Sequence, residues 1–182
     1  MPDNITSDDI SIGDILVVPA YGPCTITAIE AKELYGSRDT FVTLAPHCDN
    51  ETSTTTIPMQ KFTAHGVRWP ANPGRMLEVL ECLRDNRCKF SGNSNKRGVH
   101  FRNLMQSRDP RELARCVRDL WTPEGSERSY LYMDLYDPAL ERLAREVAIV
   151  FWVPLQGVRG SLESIITNRT PPEDIFGSQK KP

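Results

Sequence analysis

The sequence has no long apolar run. Its apolar stretches all fall short of the roughly 20 residues that a membrane-spanning helix needs, so no spanning segment is predicted. The first residues, MPDNITSDDISIGD, contain neither a basic start nor an apolar stretch, and no secretory signal is predicted from them. The chain is therefore expected to act in the cytoplasm, without contact with a membrane.

Residues that carry enzyme chemistry are scarce and scattered. None of the three histidines, His47, His65 and His100, stands at a spacing typical of a metal site or a catalytic triad, and there is no glycine-rich phosphate loop. The nearest approach to a ligand pair is His47-Cys48. The five cysteines lack CxxC spacing, which favours free thiols: Cys24, Cys48, Cys82, Cys88 and Cys116. The sequence therefore argues against an enzyme and predicts no metal and no cofactor.

Positive charge is absent from one end of the chain and concentrated in its middle. Residues 1–30 hold five acids and neither lysine nor arginine. Residues 84–121 hold ten basic and four acidic side chains, a net charge of +6 in a chain whose formal total is −2. This segregation is typical of a protein of which one part meets phosphates and another does not.

The first 70 residues have the pattern of a small β-barrel. Short β-branched runs alternate with turn residues, and they predict strands near 15–18, 25–29, 40–44 and 52–58. Turns are predicted at Gly13-Asp14, 20–23, 35–37 and 45–51, followed by an irregular return over 59–66. Residues 10–70 are thus predicted to form a bent antiparallel barrel of SH3 or Tudor type, preceded by a flexible tail over 1–9.

Pro70-Ala71-Asn72-Pro73 marks a stiff boundary, after which the apolar spacing becomes helical. We predict an all-helical bundle over 73–168 and a flexible tail over 169–182. Its parts are a helix to about Arg87, a polar loop over 88–96, and helices over 98–106, 109–121, 137–151 and 161–168. The helix at Asp137-Pro138 has an alternative reading as a longer helix from Ser129, kinked at Pro138.

The stretch DPRELARCVRDLW, residues 109–121, is the clearest helix of the chain. Asp109 suits the N-cap, Pro110 the first helical position, and Glu112 the acid of a capping box. Helical spacing places the apolar residues on one buried arc: Leu113, Ala114, Cys116, Val117, Leu120 and Trp121. The same spacing places Arg111, Arg115 and Arg118 opposite, facing solvent or a partner.

Four blocks of sequence, in order, resemble the CarD family of bacterial RNA polymerase-binding transcription regulators. They read IGDILVVPAYGPCTITAIE, IPMQKFTAHGVR, LARCVRDLW and LERLAREVA, within residues 10–148. The resemblance implies an N-terminal Tudor-like module, similar to that of transcription-repair coupling factors, that docks on the polymerase β subunit. It also implies a C-terminal helical domain that lies against promoter DNA and stabilises the melted complex.

The resemblance also implies roles for particular residues. The family's basic residue in the second hairpin falls on Lys32, and its GVR turn on Gly66, Val67 and Arg68, which would be polymerase contacts. The family's basic pair falls on Lys96 and Arg97, expected in a loop that reaches phosphates. Arg102 and Arg118 complete the expected DNA-contacting set.

One departure from the family concerns the tryptophan that commonly precedes the basic pair and wedges against the opened duplex. Here that position is Ser94 or its neighbour, and no tryptophan occurs between Trp69 and Trp121. Phe90 and Phe101 are the nearest aromatic residues, and the spacing of Phe101 predicts a core position. Binding without such a wedge would consist mainly of phosphate contacts that carry little sequence information.

The sequence therefore predicts a CarD-like regulator. It would dock on the RNA polymerase β subunit, contact promoter DNA and modulate the stability of the open complex, most simply as a monomer. The alternative is a protein-only adaptor that occupies polymerase without touching DNA. The missing tryptophan and the acidic N-terminal portion favour that alternative, whereas the +6 segment favours DNA contact.

Overall fold

The computed structural model of the chain describes residues 5–34, 37–47, 53–88, 90, 92–123 and 132–177. Two compact units are present, Met1–Pro70 and Ala71–Pro182. The first holds an antiparallel sheet and the second holds helices, which confirms the predicted α+β class. The predicted turn at Tyr35-Gly36, Cys48 and a helix start at Ser129 lie outside the described residues.

The sheet has four antiparallel strands in the order of the chain. They are β1 (Ile15–Val18), β2 (Gly22–Leu34), β3 (Ser37–Pro46) and β4 (Thr55–Pro58). β2 and β3 are much longer than predicted because they pair along nearly their whole length as one hairpin, with a bulge between Ile26 and Ala28. A bulge bends and twists its strand, so β2 can pair with β1 at one end and extend well beyond it.

The β2–β3 hairpin projects beyond its neighbours. β1 pairs only with residues 22–25 of β2, and β4 pairs only with residues 41–44 of β3. Residues 31–34 and 37–40, here called the ribbon arm, therefore have only each other as strand partners within the described chain. This arm is an addition to the predicted compact barrel.

The expected N-terminal tail is partly structured. Thr6 and Asp9 form a capping box around a short 3₁₀ turn, Ser7–Asp9, and the flanking Ile5 and Ile10 are buried in the sheet unit's core. Burial of these two isoleucines holds the segment in place, since each removes apolar surface from water. The remaining core comes from strands and turns: Leu16, Val18, Cys24, Ile26, Val42, Leu44, Ile57, Phe62 and Val67.

The second unit contains six helices among its described residues. They are α1 (Pro73–Glu81), α2 (Ser94–Met105), α3 (Pro110–Leu120), α4 (Asp137–Phe151), α5 (Val158–Asn168) and α6 (Pro172–Phe176). A π-helical turn, Tyr132–Tyr136, leads directly into α4, which begins at Asp137 as predicted, and the alternative start at Ser129 lies outside the described residues. None of the described helices is long and apolar enough to cross a membrane.

Four boundaries in the helical unit differ from the prediction. α5 begins at Val158, three residues before the predicted start at residue 161. α1 ends at Glu81 rather than near Arg87, because residues 82–88 are tied by hydrogen bonds to neighbouring elements, including that of Cys88 N–H with Asp119. α2 begins at Ser94, four residues early. The expected tail over 169–182 contains α6, whose Phe176 ring is buried and stacks on Phe151 at 5.0 Å between centroids.

The α3 helix follows its prediction closely. The Asp109 carboxylate caps it by accepting from Arg111 N–H at 3.0 Å. Ala114, Cys116, Val117 and Leu120 are buried. Trp121, predicted to be buried, is half-buried against the same core, and the Arg87 guanidinium lies 5.9 Å from its ring centroid. Glu112, which was predicted to be the acid of a capping box, instead forms an ion pair with Arg115.

Candidate functional site

The three residues of the GVR segment in the sheet unit, Gly66, Val67 and Arg68, have different structural roles. Gly66 has φ of +68°, a conformation that glycine adopts without strain, and it turns the chain back toward β1. Val67 is buried in the core, so its side chain anchors the segment, contrary to the predicted contact role. Arg68 bonds both its backbone groups to Val17, at 2.7 and 3.1 Å, which covers the edge of β1 at this point.

The Arg68 side chain is partly exposed beside this bridge. Its Nη1 donates to the Trp69 carbonyl at 3.1 Å, which orients a guanidinium group that carries several N–H donors in a fixed fork. The backbone bridge and this hydrogen bond together fix where the cation stands. Arg68 is therefore a pre-positioned cation at the sheet edge.

Lys32 lies in a different place, on the ribbon arm. Its ammonium is exposed and pairs with Glu30 at 2.6 Å. In the β2 register it is nine residues beyond Pro23, the partner of Val17, which corresponds to roughly 30 Å along the strand at about 3.3 Å per residue. The structure therefore does not bring Lys32 and Arg68 together, although the prediction placed both in one contact set.

Lys96 and Arg97 lie in the first turn of α2, not in the predicted loop. Asn93 caps this helix by accepting from Lys96 N–H at 2.9 Å. The sequence signal was the Asn-Ser-Asn run at residues 93–95, whose first member is a strong N-cap type. Cations at a helix N-terminus oppose its positive end, so their presence there is not explained by helix stability.

The side chains of Lys96 and Arg97 differ in exposure and in their contacts. Lys96 is exposed, and no described carboxylate lies within ion-pair distance of it. Arg97 is half-buried, its guanidinium lies 5.7 Å from the Phe101 ring centroid, and its Nε has no hydrogen-bond partner. Lys96 is thus an exposed cation, without a carboxylate partner among the described residues, in the first turn of α2, and a helix N-terminus attracts anions.

The aromatic residues near this turn have opposite roles. Phe101 is buried in the helical core, as its spacing predicted. Phe90 is 36% exposed and stacks on His100, with ring centroids 4.9 Å apart and planes 23° from parallel. Because His100 is one helical turn after Lys96, the exposed Phe90 ring lies along the same helix as the free cation. Ser94, which the resemblance places at or next to the position of a tryptophan, is exposed at the first position of α2.

Arg118 is a correction to the predicted site. It was expected to point away from the apolar arc, but it is 5% exposed and its Nε donates to Asp119 Oδ1 at 2.7 Å. Its other nitrogens contact the Cys82 carbonyl, the Cys88 sulfur and the Asp85 carboxylate. Burial alone would lower the pKa of this guanidinium, but the hydrogen bonds and charge of Asp119 outweigh burial and raise it. Arg118 therefore holds the 82–88 loop to α3 and is not available to DNA.

Most of the remaining arginines of the basic segment are also paired. Arg102 is exposed but bonds Asp134 at 3.1 Å, Arg111 reaches Glu78 at 2.9 Å, and Arg115 pairs with Glu112. The pKa of Glu78 is lowered, first by its hydrogen bond from Arg75 and further by Arg111. Two carboxylates from outside the segment, Asp134 and Glu78, thus neutralise part of the +6 that residues 84–121 carry in sequence.

Groups suited to metal or acid–base chemistry are dispersed. Within the described ranges no three His, Cys, Asp or Glu side chains gather as a metal site. His47 Nδ1 lies 2.8 Å from the Thr25 hydroxyl. Burial, followed by the nearby Asp119 charge, raises the pKa of the Cys116 thiol to about 12, so this thiol is protonated and unreactive at neutral pH.

One comparison with known proteins gives a match. Residues 78–160 match the family model described as CarD, C-terminal domain. The match runs from within α1 into α5 and contains Lys96, Arg97, Arg102 and Arg118. No curated protein matches the chain. The matched region is therefore the part of the chain in which the free cation and the exposed aromatic ring lie.

Proposed function

We propose that the chain, whose residues 78–160 match the model of the CarD C-terminal domain, is a CarD-family protein that regulates transcription by docking on the RNA polymerase β subunit and contacting promoter DNA. The family consists of regulatory, transcription-associated proteins without enzyme activity. In this proposal the sheet unit is a Tudor-like polymerase-binding module, and the helical unit faces DNA and modulates open-complex stability. The protein acts as a monomer and needs no cofactor.

The observation that carries the DNA-facing role is the start of α2. Lys96 is an exposed cation without a carboxylate partner in the described chain, and it stands beside N–H groups at the positive end of a helix. Both features attract phosphate oxygens. Arg97 adds a second positive charge, and Arg102 contributes where a phosphate displaces Asp134. These contacts hold the protein on the DNA backbone without reading sequence.

Phe90 supplies the aromatic surface that the missing tryptophan would have supplied. Its ring is exposed and already oriented by stacking on His100. Aromatic rings stack on unpaired bases of any sequence, so such a ring suits the edge of a melted region. We place Phe90 against the DNA at that edge, with Lys96 on the adjoining phosphates.

Docking on polymerase rests on Arg68, with Lys32 as a lesser contact. Arg68 is held at the sheet edge by its backbone bridge to Val17. Lys32 already forms an ion pair with Glu30, so a new ion pair between Lys32 and a carboxylate of the polymerase would add less binding free energy. Gly66 and Val67 support the contact by shaping and anchoring the turn.

Co-purification with polymerase tests the docking. Arg68→Glu should abolish recovery of the β subunit with the full-length protein, because it places a carboxylate where a partner carboxylate or carbonyl binds. Lys32→Glu should weaken recovery only partly. Lys61→Glu, a charge reversal at another exposed lysine of the sheet unit, is the matched control and should bind as wild type. Normal binding by an Arg68→Glu protein with an unchanged thermal melt would reject this surface.

A second function, that of a protein-only adaptor, is favoured by one observation. Arg102, Arg111 and Arg115 are paired with carboxylates, and Arg118 is buried, which leaves a smaller free positive charge than the sequence suggests. An adaptor would bind polymerase with Arg68 intact, and its effect on transcription would not change when Lys96 is removed.

A further inference from the structure

The outer face of α2 has an unusual set of exposed residues. At 100° per residue, Asn95, Val99, Arg102, Asn103 and Gln106 fall within one arc of roughly 100° along the helix and just beyond its end. All five are exposed, and Val99 is among the most exposed apolar residues of the chain, at 56%. We call these five residues the α2 outer face, and Lys96 borders it.

Helix stability does not account for this choice of residues. α2 contains neither Asp nor Glu, and asparagine and valine rank low among helix formers. Exposed or partly exposed positions of α3 and α4 carry good helix formers in ion pairs, such as Glu112 with Arg115 and Glu141 with Arg145. The residues of the α2 outer face are therefore not explained by a contribution to the stability of α2.

The amides on this face are unused within the described chain. Asn72 and Asn93 cap helices, Asn86 accepts from Arg169, and Asn168 donates to Ser164. Asn95 and Asn103 differ from these four in making no side-chain hydrogen bond to any described residue, and the Gln106 amide makes none either. Three amides with free donors and acceptors thus lie along one helix face.

Such a face matches the edges of A·T base pairs in the major groove. An asparagine or glutamine amide pairs with adenine by donating to N7 and accepting from the N6 amino group, and an apolar side chain packs on the thymine methyl group. The major groove admits one α-helix. From Asn95 to Gln106 the helix rises about 16 Å, roughly five base-pair steps.

The surrounding charge fits a nucleic-acid occupant. α2 carries Lys96, Arg97 and Arg102 and no acid. The carboxylate of Asp134, which contacts this face through Arg102 at 3.1 Å, is neutralised by that arginine. The three basic residues and the absence of acids in α2 favour a polyanionic partner, and duplex DNA supplies both the phosphates for Lys96 and complementary base edges for the amides.

We propose that the α2 outer face reads A·T base pairs in the major groove of promoter DNA and gives this protein a sequence preference. The inference rests on the proposed function, because docking on polymerase brings α2 to promoter DNA. It goes beyond that function, since phosphate contacts alone carry no sequence information. Asn95 and Asn103 are the specificity-determining residues, and Val99 selects thymine.

Selection from randomised promoters tests this. Promoter duplexes with a randomised upstream segment are mixed with RNA polymerase holoenzyme and the full-length protein, and bound duplexes are sequenced. A parallel selection without the protein removes polymerase's own preference. Wild type should enrich an A·T-containing motif, and replacing one contacted adenine should weaken binding about fivefold. Asn95→Ala/Asn103→Ala should lose the motif, and alanine's higher helix propensity keeps α2 folded.

Lys96→Ala is the matched control. It should lower the yield of bound duplex while keeping the motif, because a phosphate contact contributes equally to every sequence. Enrichment of no motif by a protein that co-purifies with polymerase would overturn this inference alone. Retention of the motif by Asn95→Ala/Asn103→Ala would also overturn it. Failure of the wild-type protein to co-purify with polymerase would overturn the proposed function as well.

Discussion

α2 and α3 are consecutive helices with three basic side chains each, and the structure uses them in opposite ways. On α3, Arg111 and Arg115 pair with carboxylates on the surface, and Arg118 pairs with Asp119 while buried. On α2, Lys96 has no carboxylate partner in the described chain and stands at the helix N-terminus. A count of arginines and lysines therefore does not identify a positive surface, because the acids that the fold brings close decide which charges remain.

The difference follows from what surrounds each helix. α3 carries its own acids, Glu112 and Asp119, and the fold places Glu78 of α1 beside Arg111. α2 has no acid of its own, and among the described residues only Arg102 acquires an acidic partner, Asp134 of the π-helical turn. α3 thus uses its basic residues to hold the helical unit together, whereas α2 has basic and amide groups left for another molecule.

Removing Arg118 should have the largest effect on the α3 side of this comparison. Arg118→Ala leaves the Asp119 carboxylate buried without its main partner, and it also removes contacts to Cys82 and Asp85. We expect a loss of about 3–5 kcal/mol in the free energy of unfolding, measured by urea titration.

Arg115→Ala is the matched control on the same helix. Its exposed pair with Glu112 should contribute about 0–1 kcal/mol. If the two variants lose the same stability, Arg118 does not hold the 82–88 loop to α3. The distinction between a structural Arg118 and the exposed arginines of this helix would then be wrong.

Salt dependence sharpens the comparison on the α2 side. The affinity for promoter DNA, measured with polymerase present over a series of salt concentrations, should fall less steeply for Lys96→Ala/Arg97→Ala, by about two units in the slope of log affinity against log salt. Lys96→Ala alone should account for about one unit. Arg111→Ala/Arg115→Ala should leave the slope nearly unchanged, because both arginines are already paired.

The outcomes separate the candidate functions. Equal slopes for wild type and both double variants would favour the protein-only adaptor. Equal flattening by both double variants would mean that DNA meets α3 as well as α2. Phe90→Ala should leave the slope unchanged and shorten the lifetime of open complexes, since an uncharged ring releases no counterions.

The buried face of α3 gives the smallest of these effects, a dependence of stability on pH. The Cys116 pKa is about 12 in the folded protein, raised from 9.0 by burial and then by Asp119. Above pH 9 the unfolded chain releases the thiol proton while the folded protein keeps it. Stability from this group is therefore complete below pH 9 and is lost as pH rises toward 12, by at most about 1.4 kcal/mol per pH unit.

Urea titrations of wild type and Cys116→Ala between about pH 8 and pH 11 measure this contribution. The wild-type stability should decline more steeply than that of the variant, whatever offset the substitution introduces. Parallel curves would contradict the burial of this thiol on the inner face of α3.

Where the local signal was strong, the elements could be predicted from the sequence. The Asp109-Pro110 start of α3, the apolar spacing of α4 and the β-branched run of β1 all appear in the structure. Boundaries were wrong where distant contacts decide them. The start of α2 depends on the Asn93 cap, the end of α1 on hydrogen bonds from the 82–88 loop, and α6 on the stacking of Phe176 against Phe151.

The candidate site was predicted in part. The resemblance directed attention to Lys96 and Arg97, and the structure places both at the start of α2. The exposed stack of Phe90 on His100 and the unused amides of Asn95 and Asn103 were missed, because single exposed residues have no periodic signal in a sequence. Helical spacing in an already known α2 would have placed the two asparagines on one face.

The sequence by itself determined the order of the four strands and of α1 to α5, and the buried faces of α3 and α4, because backbone propensity and apolar spacing are local properties. Tertiary structure alone decided which charges are free. Arg118 stands opposite the apolar arc in a helical projection, yet it is buried, because the 82–88 loop packs over that side of α3 and Asp119 neutralises it. An ion pair forms between groups that are close in space, and distance in space follows from packing rather than from spacing along the chain.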